Sequence, residues 1–170
     1  MACGPRKGPE ANATYFWKID TSSLEWGACG DSQALRGGVG AIAVSASSYL
    51  TYKVDPAGQK AVSQTCLQLN PSSCTPSPAN IVFDIAGNEL TFTSSAKKTI
   101  DQSTCALQQS DTWTIVDQIS TMSLEIATVL SLVDNPTSCP GVEAGIKRDS
   151  PNGLGVTGCV LTRRLTGTLR

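Results

Sequence analysis

Residues 83–92 have the sequence FDIAGNELTF, which predicts a β-hairpin with the Gly-Asn pair at 87–88 in a two-residue turn. In that register Ile85 faces Leu90, and the two phenylalanines face each other, so apolar side chains meet on one face of the hairpin. A slip of one residue would lose this match. The segment therefore favours an antiparallel sheet with one buried face.

Apolar and polar residues alternate along most of the remaining chain, a pattern typical of half-buried strands. The apolar positions of these strands are Tyr15, Trp17, Ile19, Leu50, Tyr52, Val54, Trp113, Ile115, Leu124, Ile126, Leu130, Leu132, Leu161, Leu165 and Leu169. The sequence DPAG at 55–58 predicts a turn, followed by a strand over about 59–67. The pattern predicts about eight strands, mostly in sequential hairpins. Residues 33–47 fit a loop, a short helix or a strand, and residues 135–155 fit a long surface loop.

Length and composition predict one globular domain. The chain has 170 residues, of which 40% are hydrophobic, enough to bury a core. Residues 1–13 are rich in proline, glycine and charge, and we interpret them as a flexible tether before a single domain at 14–170. The net charge of −1 and the dispersed basic residues argue against nucleic acid or an anionic membrane as the main partner.

The chain contains seven cysteines and no histidine, which indicates structural disulfides in an oxidising compartment. Cytosolic proteins with many cysteines usually hold them in metal sites or redox motifs. Here no C-x-x-C pair is present. Cys3 lies in the tether, and the other six cysteines lie in the domain.

Hairpin geometry ranks the pairings of these six cysteines, although their spacing allows 15 connectivities and decides none. Cys66 and Cys74 flank a short loop and would clasp its ends. Cys105 begins a predicted strand, and Cys139 lies just beyond the end of its antiparallel partner, so the ladder would bring both to one edge of the sheet.

Cys29 and Cys159 remain as the third pair. Cys29 follows the first strand and Cys159 starts the last, so they adjoin only if those two strands pair antiparallel. The predicted fold is therefore all-β, an antiparallel up-and-down barrel of about eight strands with three disulfides.

Cys3 opens the tether and is followed by GPRKGPE at 4–10. A cysteine in this position is what remains when a bacterial lipoprotein signal is cleaved just before the residue that receives the lipid. We expect a lipid on Cys3 to anchor the protein in the bacterial cell envelope and to be its only contact with the membrane. The alternative is an incidental free thiol.

Three runs of sequence carry a resemblance to a known group of proteins: WKID at 17–20, WGACGD at 26–31 and YLTYKV at 49–54. Together with the spacing of Trp113 and four of the cysteines, they resemble the uncharacterised cysteine-bearing lipoproteins common in myxobacterial genomes. The cysteines concerned are Cys66, Cys74, Cys105 and Cys139. The resemblance covers most of 15–170. It implies an exported, lipid-anchored, lipocalin-like β protein and names no activity.

A wider similarity, at the level of the fold, is to lipocalin-type barrels. In those barrels an early-strand tryptophan packs against an arginine of the last strand. The similarity implies a cation–π contact between Trp17 or Trp26 and Arg163 or Arg164. The glycine that lipocalins carry two residues before the tryptophan is replaced by Tyr15. The alternative is that one arginine is solvated and the other extends from the barrel rim.

The sequence predicts no enzymatic activity, no cofactor and no metal site. Without histidine, Ser-His-Asp, Cys-His and His-based zinc chemistry are excluded. SSAK at 94–97 matches S-x-x-K, but it lies on a predicted strand, whereas the motif requires a helix. The carboxylates Glu25, Asp84, Asp117 and Glu125 are dispersed along the sequence.

Two functions fit these observations. The one the sequence favours is an envelope or surface protein with a structural or interaction role, whose aromatic residues fill the core and whose loop at 135–155 meets an unidentified envelope protein. The other is a carrier that binds a small apolar ligand inside the barrel. The residues that would fill the core or line the ligand are Trp17, Tyr52, Phe83, Phe92, Trp113, Leu124 and Ile126.

Overall fold

The computed structural model describes residues 8–29, 48–99, 106–132 and 159–170. These ranges contain nine β-strands and two short 3-10 turns, Gly27–Cys29 and Pro71–Ser73. The strands are β1 Thr14–Glu25, β2 Tyr49–Val54, β3 Lys60–Cys66, β4 Cys74–Pro76, β5 Val82–Ala86, β6 Glu89–Thr99, β7 Ala106–Gln118, β8 Thr121–Leu132 and β9 Cys159–Leu169.

Eight of the strands form a closed antiparallel barrel, which confirms the predicted fold class. Apart from β4, each strand pairs with the next barrel strand along the chain, and β9 returns to pair with β1. The short β4 pairs only with the end of β3 and lies beside the barrel. Closure gives each barrel strand a partner on both sides over at least part of its length, which shortens the free edges at which an open sheet would aggregate.

The hairpin predicted from residues 83–92 is present. Gly87 has φ of 64°, in the left-handed region that a tight turn of this kind requires. Ile85 lies opposite Leu90, and the rings of Phe83 and Phe92 are 6.0 Å apart, meeting edge to face. The local sequence therefore sets the register of β5 against β6.

A carboxylate stabilises the turn at 55–58. Asp55 accepts hydrogen bonds from the backbone N–H groups of Gln59 (2.8 Å) and Lys60 (3.1 Å). These hydrogen bonds favour the charged carboxylate and therefore lower the pKa of Asp55. The bond from the Lys60 N–H has the largest effect. Because the pKa is lowered in the folded protein, these bonds stabilise the fold when the pH is above the usual carboxylate pKa. The stabilisation is lost as the pH falls through the lowered pKa.

The first strand is longer than its apolar alternation indicates. It runs 12 residues, to Glu25, and its register with β9 shifts between Ile19 and Thr21. This irregularity moves the inward-facing positions from odd to even numbers, so that Ser22 lies opposite Leu165. After this shift, the mostly polar residues 21–25 of β1 remain paired with β9.

The two ends of the barrel differ. At one end, which we call the turn end, tight connections at 55–58, 87–88 and 119–120 join consecutive strands. Residues 8–13 of the predicted tether contact this end: the N–H of Glu10 donates to the hydroxyl of Tyr15 (2.7 Å), and the N–H of Asn12 donates to the carbonyl of Asp55 (3.3 Å). Residues 1–7, with Cys3, lie outside the described residues.

The opposite end, which we call the cysteine end, contains the last residues of β1, β6 and β8 and the start of β9. Here Cys29 forms a disulfide with Cys159, as predicted. The predicted clasp between Cys66 and Cys74 is also present, at the base of the loop between β3 and β4. The predicted pair Cys105 and Cys139 lies outside the described residues, as do the segments at 33–47 and 135–155.

The two disulfides should contribute unequally to stability. Cys29 and Cys159 are 130 residues apart, whereas Cys66 and Cys74 are 8 apart. Because a longer closed loop restricts the unfolded chain more, Cys29→Ala with Cys159→Ala should lower the free energy of unfolding by about 5 kcal/mol, and Cys66→Ala with Cys74→Ala by about 2.5 kcal/mol. Urea unfolding of both double variants measures the difference. Equal losses would contradict closure of the barrel through the longer loop.

Candidate functional site

The predicted core or ligand-lining residues come together inside the half of the barrel nearer the turn end. Trp17, Tyr52, Phe83, Trp113, Leu124 and Ile126 are all buried, and Phe92 is partly buried against them. Phe83 is central, with its ring 6.4 Å from Tyr52 and 6.3 Å from Trp113. These side chains contact one another, as a packed core requires.

Trp17 is held in this core by tyrosines. Its indole Nε1–H donates to the hydroxyl of Tyr52 at 3.2 Å, and its ring stacks with that of Tyr15 at 6.3 Å. The partner of Trp17 is thus a phenol hydroxyl on the neighbouring strand, which satisfies the one polar atom that this large side chain buries.

The two arginines of β9 lie on opposite faces of the barrel. Arg164 faces outward and forms ion pairs with Glu25 (2.7 Å) and Glu125 (3.0 Å), and its hydrogen bonds to these carboxylates raise its pKa. Arg163 occupies an inner-facing position, opposite Ile126 of β8. Trp17 lies opposite Leu169 in the β1–β9 ladder, so neither arginine is its cross-strand neighbour. Arg164 connects β1, β8 and β9 on the outside.

A second set of inner-facing residues is polar. Gln109, Asp111 and Thr128 lie nearer the cysteine end, and their exposed fractions are only 3%, 9% and 3%. Asp111 pairs in register with Thr128 of β8 on one side and with Ser94 of β6 on the other. Buried polar side chains of this kind are uncommon unless they serve a structural network or a ligand.

Hydrogen bonds connect the three side chains. The Thr128 hydroxyl donates to Asp111 Oδ1 at 2.6 Å, and the Gln109 amide Nε2 lies 3.0 Å from Oδ1 and 2.8 Å from Oδ2 of the same carboxylate. The amide oxygen of Gln109, Oε1, is buried and has no hydrogen-bond partner among the described residues. Within the described ranges, Asp111 forms no ion pair with a lysine or arginine. The cluster therefore has more acceptors than donors.

Sequence reasoning missed this cluster. Residues 108–112 are all polar, so the segment shows no alternation of its own. The nearest indication of orientation is Trp113, two residues after Asp111. Gln109 and Asp111 are, like Trp113, at odd-numbered positions of the same strand, so they share its inner face. An inward-facing carboxylate could have been inferred from that parity.

The fold brings two of the other candidate carboxylates together, because Glu25 and Glu125 both contact Arg164 on the outer face. The other two lie elsewhere: Asp84 pairs with Lys60, and Asp117 accepts the N–H of Ile119 in a turn (3.0 Å). Ser94 and Lys97 of the S-x-x-K match are three apart on the extended strand β6, which directs them to opposite faces. No group of three or more metal-ligating side chains occurs within the described part of the chain.

The loop between β3 and β4 is the most apolar exposed feature of the described surface. Leu67 is 92% exposed and Leu69 is 52% exposed. Both line a cleft of about 380 Å³ that also borders Tyr49 and Thr51 of β2. The cleft opens where the β2–β3 ladder ends, at the pair Tyr52 and Ser63.

Comparisons with known proteins add no family to this description. No protein-family model, no curated protein and no solved structure matches the chain. Among the described residues, no helix has the length and apolar character needed to cross a membrane.

Replacing a central aromatic residue tests whether the turn half of the barrel is filled. Phe83→Ala should lower the free energy of unfolding by about 3–5 kcal/mol, because it leaves a void among side chains that now contact one another. Leu67→Ala, at an exposed position, should change it by less than about 0.5 kcal/mol. Chemical denaturation of both variants measures the effect. A loss below about 1 kcal/mol for Phe83→Ala would indicate that the ring borders empty space instead.

Proposed function

We propose that this protein is an exported, disulfide-stabilised barrel, anchored in the bacterial cell envelope by a lipid on Cys3, with a structural or interaction role and no catalytic activity. The two disulfides are consistent with an oxidising, extracytoplasmic compartment. The lipid, the envelope location and the absence of catalysis are parts of the proposal that the sequence motivates.

The packed interior is the observation that carries the proposed role. The side chains that would line an apolar ligand contact each other in the turn half of the barrel, and three of the aromatic ones, Trp17, Tyr52 and Phe83, are fully buried. A carrier of an apolar molecule would instead need these side chains to border a cavity of about 300 Å³ or more. The packing supports a rigid scaffold whose outer surface contacts a partner.

The loop between β3 and β4 is the described surface best suited to a protein partner. Its disulfide joins Cys66 to Cys74, and inside it the single O–H of Ser73 is shared between the carbonyls of Gln68 (2.9 Å) and Asn70 (2.8 Å). A loop fixed in this way loses little conformational freedom on binding, so its exposed leucines can contribute most of their burial energy. We assign it to contact with an apolar patch on an envelope protein.

The lipid can be tested directly on protein purified from its natural source. The expected intact mass includes acyl chains on Cys3, and Cys3→Ser should move the protein from the detergent phase to the aqueous phase on Triton X-114 separation. A control variant in the tether, Lys7→Ser, should stay in the detergent phase. A free Cys3 thiol in the mature protein would contradict the anchoring.

The partner can be tested by cross-linking intact cells before purification. A genuine partner should co-purify with the wild type and be lost when Leu67→Ser and Leu69→Ser are combined, because the apolar contact is removed. Ile119→Ser is the matched control, since Ile119 is as exposed as Leu69 (52%) but lies at the turn end. If no protein depends on the two leucines, and native mass spectrometry finds an apolar molecule inside the barrel, the carrier function would replace this proposal.

A further inference from the structure

We propose that the cysteine half of the barrel interior binds a small molecule with a protonated amine, and that Asp111 and Gln109 are the acceptors for that amine. This site is separate from the partner surface and from the lipid. Its existence does not depend on where the protein resides or on what contacts the exposed leucines.

Asp111 and Gln109 have hydrogen-bond acceptor positions that their neighbours do not fill. A carboxylate offers about four acceptor positions, and among the described residues Asp111 receives three side-chain hydrogen bonds, one from Thr128 and two from Gln109. Gln109 donates from its amide nitrogen to Asp111, and its Oε1 is buried without a partner in the described part of the chain. An unsatisfied buried acceptor is destabilising, and a buried charge without a counter-ion is more destabilising. A bound donor group would remove both penalties.

The charge of Asp111 selects a cation over a neutral donor. Within the described ranges no lysine or arginine pairs with it, and Arg163, at an inner-facing position on β9, makes no ion pair. A buried water could satisfy Gln109 Oε1 but would leave the carboxylate charge uncompensated. A protonated amine has three N–H donors around one positive charge, so it can contact Asp111 and Gln109 together.

The neighbouring residues indicate that the amine carries an apolar portion. Gln109 lies opposite Leu130 in the β7–β8 ladder, and Thr128 lies opposite Leu161 in the β8–β9 ladder. Both leucines are buried and face inward. A metal ion fits the site less well, because divalent cations need several ligating groups and Asp111 is the only carboxylate in the cluster.

The experiment compares matched probes on the whole purified protein by isothermal titration calorimetry. The cationic probes are methylammonium and n-butylammonium, and the controls with the same carbon chain are n-butanol and butyrate. We expect saturable binding of n-butylammonium, weaker binding of methylammonium, and no binding of butanol or butyrate. Asp111→Asn should weaken n-butylammonium binding at least about tenfold, because it removes the charge while keeping an acceptor for Thr128.

Asp20→Asn is the matched control variant, since Asp20 is exposed on β1 and the substitution makes the same change in charge and shape. It should leave n-butylammonium binding unchanged. Gln109→Leu, which removes Oε1, should weaken binding severalfold and serves as the second variant if Asp111→Asn does not fold, as judged by circular dichroism.

Three results would overturn the proposal. The first is no binding of either amine, which would mean that the cluster holds a buried water only. The second is equal binding of butanol and n-butylammonium. The third is equal amine binding by the wild type and by the Asp111 or Gln109 variant. Loss of the lipid or of the protein partner would leave this result unchanged, so failure of the proposed function and failure of this site are distinguishable.

Discussion

Hydrogen bonding between β1 and β9 joins the beginning of the domain to its end and converts a curved sheet into a closed barrel. The Cys29–Cys159 disulfide lies at one end of this ladder and links the same two parts of the chain across 130 residues. Once the ladder is closed, every strand has one inner and one outer face. The separation of Arg163 from Arg164, and the burial of Asp111, follow from that distinction.

Closure produces an interior with two different halves. Near the turn end the inner positions hold aromatic and aliphatic side chains that pack around Phe83 and stabilise the barrel. Toward the cysteine end the same inner faces hold Gln109, Asp111 and Thr128, a hydrogen-bonded cluster whose Gln109 amide oxygen has no partner within the described ranges. The first half gives the protein a rigid scaffold. The second half retains buried polar groups that packing alone does not require, as a ligand-binding site would.

The sequence predicted features that depend on local pattern or on simple distance. The 83–92 hairpin followed from its turn residues, and the Cys66–Cys74 clasp followed from short spacing. The bulge after Ile19 was not predictable, because the polar residues that follow give no alternation and only pairing with β9 fixes their faces. The Asp111 cluster was missed for a related reason: in a wholly polar segment, the inner face is identified only by its parity with Trp113 and by closure of the barrel.

Peptide mapping of the unreduced protein, followed by mass spectrometry, tests barrel closure most directly. The account predicts a peptide containing Cys29 linked to one containing Cys159, and a separate link between Cys66 and Cys74. Cys29 joined to any other cysteine, or found as a free thiol while Cys159 is paired elsewhere, would contradict the closed barrel. The inner and outer faces assigned from that closure, including the buried position of Asp111, would then lose their basis.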